Sequence, residues 1–352
     1  MKHRSSEAAV ELLSTRTAAR RFVQARFSRA FFIPGIPAHG ASPRASGYDR
    51  EYWVLAGLKQ LILAIVLCGP ALLHAAERIA VLDHRRLPEA SGMAVAAHDP
   101  QRLWFINDSG NRPELIALDL DSGAHDRLRV AGSKNRDWED LAAFRYGGEP
   151  WLAIADIGDN SGKRDHIIVY LLPEPPDPSV REVEVHTTLE LEYPKKARDA
   201  ESLAIDSRTQ TLYLLSKREK HPRLYRVALP ALRKDVEHKL TLSDMGKLKS
   251  IPAPSDDERA RPYGKFAGQP TGMTFMEQQQ RIAVLTYRGV YVAELDDSGD
   301  WLAALNDRLC PVSTPLLKQA EAIAGDTLGR IYVSSEGRDA PVYRLEGASC
   351  DR

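Results

Sequence analysis

From about residue 77 onward, short apolar runs alternate with short polar turns, and the same order of segments returns five times. Each unit opens on a polar-then-small motif that continues into an apolar strand: Glu89–Val95 (EASGMAV), Trp138–Phe144 (WEDLAAF), Ala200–Asp206 (AESLAID), Pro270–Phe275 (PTGMTF) and Ala320–Asp326 (AEAIAGD). A short turn leads to a second apolar strand, at Leu103–Ile106, Trp151–Ala155, Thr211–Leu215, Arg281–Thr286 and Arg330–Val333. A third strand follows in every unit, at Glu114–Leu118, His166–Tyr170, Arg223–Val227, Gly289–Ala293 and Pro341–Leu345, rich in the β-branched and aromatic residues that strands favour. The unit is a β-meander.

Equating Glu89, Glu139, Glu201, Thr271 and Glu321 spaces the units about 50 to 70 residues apart, room for a four-stranded sheet and its loops. Asp126–Val130, Glu182–Leu191 and Lys239–Leu248 are the candidate fourth strands, and the segment after the fourth unit is only loosely strand-like. The last unit has no fourth strand of its own. Arg78–Asp83 fills that place if the two ends of the domain share a blade, and such closure removes the open sheet edges. The expected fold is therefore all-β, a five- or six-bladed β-propeller of four-stranded antiparallel blades, with any sixth blade lying in the stretch Leu229–Ala267. A β-sandwich also uses many short antiparallel strands, but it does not require one unit repeated five times in register. The charged segment Pro252–Pro262 reads as an exposed loop.

The composition, 43% hydrophobic and 27% charged over 352 residues, is that of a globular protein with a large core. Residues 1–53 stand apart, being rich in arginine with no sustained apolar period, and read as a basic extension outside the fold or upstream of the true start. Residues 54–76 hold Lys59, the apolar run Leu61–Leu73 and His74-Ala75-Ala76, the layout of a signal peptide. Translation starting near Val54 or Leu55 accounts for its position. An uncleaved anchor with a basic tail is the alternative, although the run is short for a span and Gly69-Pro70 interrupts it. Cys68 follows Leu67, a poor lipoprotein signal. Residues 77–352 then form one propeller domain, expected in the periplasm or secreted.

Residues 1–76 carry ten of the 48 lysines and arginines and four of the 48 acids, so the remainder has a net charge of −6. An acidic domain argues against nucleic acid as a partner. The remainder keeps two cysteines, Cys310 and Cys350, a candidate disulfide in an oxidising compartment or else two free thiols.

Direction alternates along a meander, so the start of a first strand and the end of a second lie at the same end of the blade. One polar set is thus Glu89, Glu139 with Asp137 and Asp140, Glu201 with Asp199, Thr271 and Glu321. The other is Asn107 and Asp108, Asp156, Asp159 and Asn160, Lys217, Arg288 and Glu336. Like charges raise one another's pKa, so such a cluster calls for a cation, and calcium suits several carboxylate oxygens. Glu89, Glu139, Asp156, Asp159 and Glu321 are the candidate metal ligands, with Glu201 as base and Lys217 and Arg288 neutralising developing charge. Asn-Asp-Ser-Gly and Asp-Ile-Gly-Asp-Asn are equally good turn sequences, and the repeated glutamates also suit hydrogen bonding between blades. The convergence of many such residues is what marks the site. The sequence contains no GxSxG elbow, HExxH, CxxC, phosphate-binding GxxxxGK[ST] loop or dinucleotide fingerprint.

Taken in order, NDSGN, NRDWEDLA, ADIGDN, DAESLAID with LYLLSK, PTGM and QAEAIA resemble the esterase-like, phytase-like group of exported bacterial propellers, over roughly residues 83–346. The acidic centre is more distantly similar to the metal site of gluconolactonase and regucalcin propellers. The resemblance implies a propeller and hydrolysis of a carboxylic or phosphate ester. The few basic residues at the strand ends point away from a highly charged inositol phosphate. Two functions follow as expectations: a divalent-metal-dependent hydrolase of a small ester, lactone or phosphate ester, or a non-catalytic propeller binding a protein, glycan or envelope component. A monomer is expected, with the membrane involved only through an uncleaved signal.

Overall fold

A computed structural model describes residues 76–347 and Cys350. The basic extension, the signal segment and Cys68 lie outside the described residues, apart from Ala76. Five sheets make five blades. The first described strand, β1 (Glu77–Val81), belongs to the last blade. The first blade is β2 (Ala90–Val95), β3 (Arg102–Asn107), β4 (Glu114–Asp119) and β5 (His125–Ala131). The second has β6 (Trp138–Tyr146), β7 (Glu149–Asp156) and β8 (Ile167–Pro173), then, beyond the short β9 (Glu182–Glu184), β10 (Thr187–Glu192). The third is β11 (Ala200–Asp206), β12 (Thr211–Ser216) and β13 (Arg223–Ala228), completed past β14 (Val236–Thr241) by β15 (Ser243–Lys247). The fourth is β16 (Pro270–Met276), β17 (Arg281–Thr286), β18 (Gly289–Glu294) and the short β19 (Cys310–Pro311). The fifth is β20 (Ala320–Gly325), β21 (Ile331–Ser335) and β22 (Pro341–Leu345), and β1 pairs antiparallel with β22 to close the ring, as the sequence pattern predicts.

Among the described residues there is no sixth blade. Leu229–Ala267 is divided between neighbours: β14 joins the second blade parallel to β10, and β15 completes the third. In the same way β9 pairs parallel with β5, so the expected single strand Glu182–Leu191 is in fact two strands serving two blades. The segments between the third and fourth strands of the second and third blades thus lend a fifth strand to the preceding blade, covering an edge that would otherwise be open. The expected loop Pro252–Pro262 contains a one-turn helix, α1 (Asp256–Arg259), with a capping box in which Ser255 and Glu258 exchange hydrogen bonds. Between the third and fourth strands of the fourth blade the chain forms a helix, α2 (Trp301–Asp307), whose Trp301 stacks on Tyr213 at 3.9 Å.

The inner strands read as unbroken apolar runs because both faces of each blade are covered. Leu103 and Phe105 pack toward the fifth blade, while Trp104 and Ile106 pack toward the second. Five apolar clusters result, one at each junction between consecutive blades, the junction of fifth and first included. The core is therefore a ring rather than a single centre. Cys310 and Cys350 are bonded, with Cα atoms 5.8 Å apart, which ties Cys350 to the fourth blade.

Candidate functional site

All five innermost strands share one irregularity. Pairing of β2, β6, β11, β16 and β20 with the next strand slips by one residue at the second position of each, a β-bulge at Ser91, Glu139, Glu201, Thr271 and Glu321. A bulge leaves one residue out of the ladder and re-aims its side chain. The register corrects the sequence reading: Ser91, not Glu89, is the equivalent of the other four. Glu89 precedes the strand, is exposed, and accepts a hydrogen bond from Asn111 at 2.7 Å.

The five bulged residues do two different things. Ser91 donates to the carbonyl of Trp138 at 2.8 Å, and Thr271 donates to that of Ala320 at 2.6 Å, so the two hydroxyls stitch each blade to the next. Glu139, Glu201 and Glu321 are buried and gather with groups from the ends of the second strands. One residue deeper, the five strands carry Gly92, Asp140, Ser202, Gly272 and Ala322, small except for Asp140. That carboxylate fills the centre and accepts from the backbone N–H groups of Leu141, Leu203 and Met273 at 2.8, 2.7 and 3.1 Å, joining three blades. The first blade must come close to make room for this. A Cβ on Gly92 would lie 2.6 Å from the nitrogen of Leu141, so only glycine fits there.

Asp108, Asp137 and Glu139 form the acidic centre, each offering an oxygen within 4.8 Å of the other two. Burial pushes Asp108 up to about 6, with Asp137, Glu321 and Glu89 adding to the rise. Burial also raises Asp137 and Glu139, the latter reinforced by Glu201, Asp108 and Asp137. The trio is roofed by Gly158, where a Cβ would come within 2.1 Å of Glu139 Oε1 and 2.5 Å of Asp137 Oδ2. The glycine of ADIGDN is therefore needed for clearance above two carboxylates, not for the turn alone.

Opposite the trio runs a chain of polar contacts across three blades. Lys217 pairs with Glu201 and donates to the Tyr287 hydroxyl at 3.0 Å, and Tyr287 donates to Glu321 at 2.6 Å. Glu321 in turn hydrogen-bonds Glu336. Burial raises Glu201 to about 8 although Lys217 pulls it down, and burial with the adjacent Glu321 raises Glu336 to about 9. Burial alone would lower Lys217, but Glu201, Tyr287 and Glu321 hold it protonated.

Several sequence candidates lie elsewhere. Asp156 is buried against Arg164, 2.7 Å away, and Asp159 accepts from the Arg164 backbone at 2.8 Å, so neither faces the trio. Asn160 is exposed and accepts from Arg218. Asn107 accepts from Glu89 N and donates to Arg86 O, a loop-holding role. Glu321 belongs to the Lys217–Tyr287 chain rather than to the trio. Arg288 turns outward, forking onto Glu258 at 2.6 and 2.9 Å, where it anchors α1, because the ring's next position is already filled by Tyr287. Tyr287 was missed in the sequence, although its place one residue past the second strand, where Lys217 and Glu336 stand in their blades, is the signal that finds it. Arg164 was also missed. So were the basic residues of the loops, which reading the strand ends alone left out.

A family model described as SdiA-regulated matches residues 80–341, from the closing strand to the first residue of β22. The chain belongs to the SdiA-regulated family. That description names no reaction, so for this SdiA-regulated protein the chemistry rests on the geometry above. No curated protein matches the sequence. Among solved structures it is similar to a luciferin-regenerating enzyme, at 13% identity and a TM-score of 0.44 over 78% of this chain and 95% of that one. It is also similar to the PQQ-bound aldose sugar dehydrogenase of Streptomyces coelicolor, at 12% identity and TM-score 0.38 over 77% and 96%. The distant likeness to gluconolactonases is found too: the Xanthomonas campestris enzyme aligns at 18% identity and TM-score 0.40 over 73% and 71%.

Proposed function

We propose that this protein is a divalent-cation-dependent hydrolase of a small ester, lactone or phosphate ester, working at the polar end of the propeller axis. The observation that carries the reading is the convergence of Asp108, Asp137 and Glu139 under Gly158, three carboxyls raised by burial and by neighbouring carboxylates where a cation would relieve both. Their hard oxygens suit calcium, with Asp108, Asp137 and Glu139 as the protein ligands. Bound there, a divalent cation supplies a Lewis acid for a carbonyl or phosphoryl oxygen and acidifies water.

The chain's own residues supply the rest. Glu201, raised to about 8, suits proton transfer, as a general base in the fraction that is ionised. Lys217 stays charged beside it and offsets negative charge developing on a substrate oxygen. Tyr287 accepts from Lys217 and donates to Glu321, which fixes the ammonium in place. We place this activity outside the cytoplasm, on the Cys310–Cys350 bond and the signal-like segment that precedes the propeller.

The test is thermal melting of the purified protein in EDTA against calcium, magnesium, manganese and zinc. One cation at a hundredfold over its dissociation constant should stabilise by about 2.7 kcal/mol, a rise of roughly 5 °C or more, and Glu139→Gln should abolish the rise. Lactones and phosphoesters are then screened with that cation. No rise with any of the four ends the hydrolase reading and favours the non-catalytic alternative.

A further inference from the structure

Beside the acidic centre lies a second feature of opposite sign. A cavity of about 250 Å³ opens between the loop that follows β7 and the segment that leads into β11, lined by Lys163, Arg164, Asp165, Tyr193 and Lys195. Lys163, Lys195 and Asp165 are exposed there, while Arg164 is buried and paired with Asp156. Neither Lys163 nor Lys195 makes an ion pair among the described residues. Arg164 spends Nη1 on Asp156 and on the carbonyl of Gly158, at 2.7 and 2.9 Å, and Nε on the carbonyl of His166; Nη2 makes no hydrogen bond among the described residues. The Tyr193 hydroxyl is shielded from water and has no partner either. That hydroxyl is therefore out of reach of a ligand in the cavity, and the tyrosine contributes a wall rather than a donor.

We propose that this cavity binds the anionic group, a phosphate or a carboxylate, of the ligand that occupies the polar end of the propeller. Two exposed lysines match such a group in charge, and Nη2 of Arg164 adds a directional donor. The volume holds one headgroup with a short attachment rather than a drug-sized molecule. Position ties the cavity to the acidic centre. Arg164 donates to the carbonyl of Gly158, whose Cα lies against Glu139 and Asp137, so the loop carrying Gly158 and Arg164 borders both the cavity and the trio. Hydrolysis of an anionic ester rests on the reading above; the anion site itself does not.

The experiment measures melting temperature in EDTA, adding inorganic phosphate, acetate or chloride at equal ionic strength. Phosphate or acetate at tenfold over its dissociation constant should raise it by about 2–4 °C relative to chloride, and which of the two acts names the headgroup. The double variant Lys163→Gln/Lys195→Gln, altered at two exposed side chains, should melt with the wild type in chloride, lose the anion effect, and, in a separate melt without EDTA, keep any cation-induced rise. No rise with either anion overturns the proposal, as does a rise that survives in the double variant. In the wild type, an anion effect without any cation effect sinks the hydrolase reading and leaves the anion site standing.

Discussion

Asp108, Glu201 and Glu336 are carboxyls held where a carboxylate is poorly solvated, at about 6, 8 and 9. Glu336 shows the consequence for stability. Folded, it keeps its proton to about 9; unfolded, it releases it near 4.5, so between these values the native state binds the extra proton. Stability drawn from that proton is complete below pH 4.5 and drains away as pH rises toward 9. In EDTA, the melting temperature of the wild type relative to Glu336→Gln should therefore fall steadily over that window. A difference that stays flat or grows would show that Glu336 is ionised in the native protein. The glutamates themselves were legible in the sequence, but their pKa values were not, since those arise from neighbours contributed by other blades.

At the scale of the strand, the repeated bulge decides which residues reach the axis. Glu139, Glu201 and Glu321 were legible because each sits in a matching motif, whereas Ser91 was hidden behind Glu89, two residues upstream in an equally polar context. A one-residue slip turns a side chain to the other face, and no periodicity within one strand reports it. Asp140 then pins the inner strands. Asp140→Ala leaves the N–H groups of Leu141, Leu203 and Met273 without their acceptor, and at about 1–3 kcal/mol for each unsatisfied buried group the loss should reach about 3 kcal/mol or more. Ser91→Ala, which removes one donor, should cost about 1 kcal/mol. Urea unfolding of the two variants checks the ranking, and equal costs would contradict the central role given to Asp140.

At the scale of the ring, stability depends on joining ends far apart in the chain. β1 and β22 close the last blade, and the disulfide spans a sequence separation of 40, for which loop closure gives a stabilisation of about 2–4 kcal/mol. Cys310→Ser/Cys350→Ser should lower the urea-unfolding free energy by that amount, and the same protein with the bond reduced should match it. An unchanged midpoint would mean that the sheet contacts alone hold the C-terminal residues. The number of blades was narrowed by the repeat to five or six. What the repeat did not show was that β9 and β14 cross to the preceding blade, because parallel pairing between distant segments leaves no local mark.

The sequence by itself determined the meander, its fivefold recurrence, the closing strand and the end of the blades at which the polar residues gather. These follow from hydrophobic periodicity and turn chemistry, which act over a few residues. Only the tertiary structure decided that Asp108, Asp137 and Glu139 meet, that Asp156 and Asp159 serve Arg164 instead, and that Arg288 leaves its place to Tyr287. It alone set a basic cavity beside the acidic centre. Those outcomes depend on register between strands and on loops from different blades, and on the low polarity around buried charge, none of which is a property of any one segment.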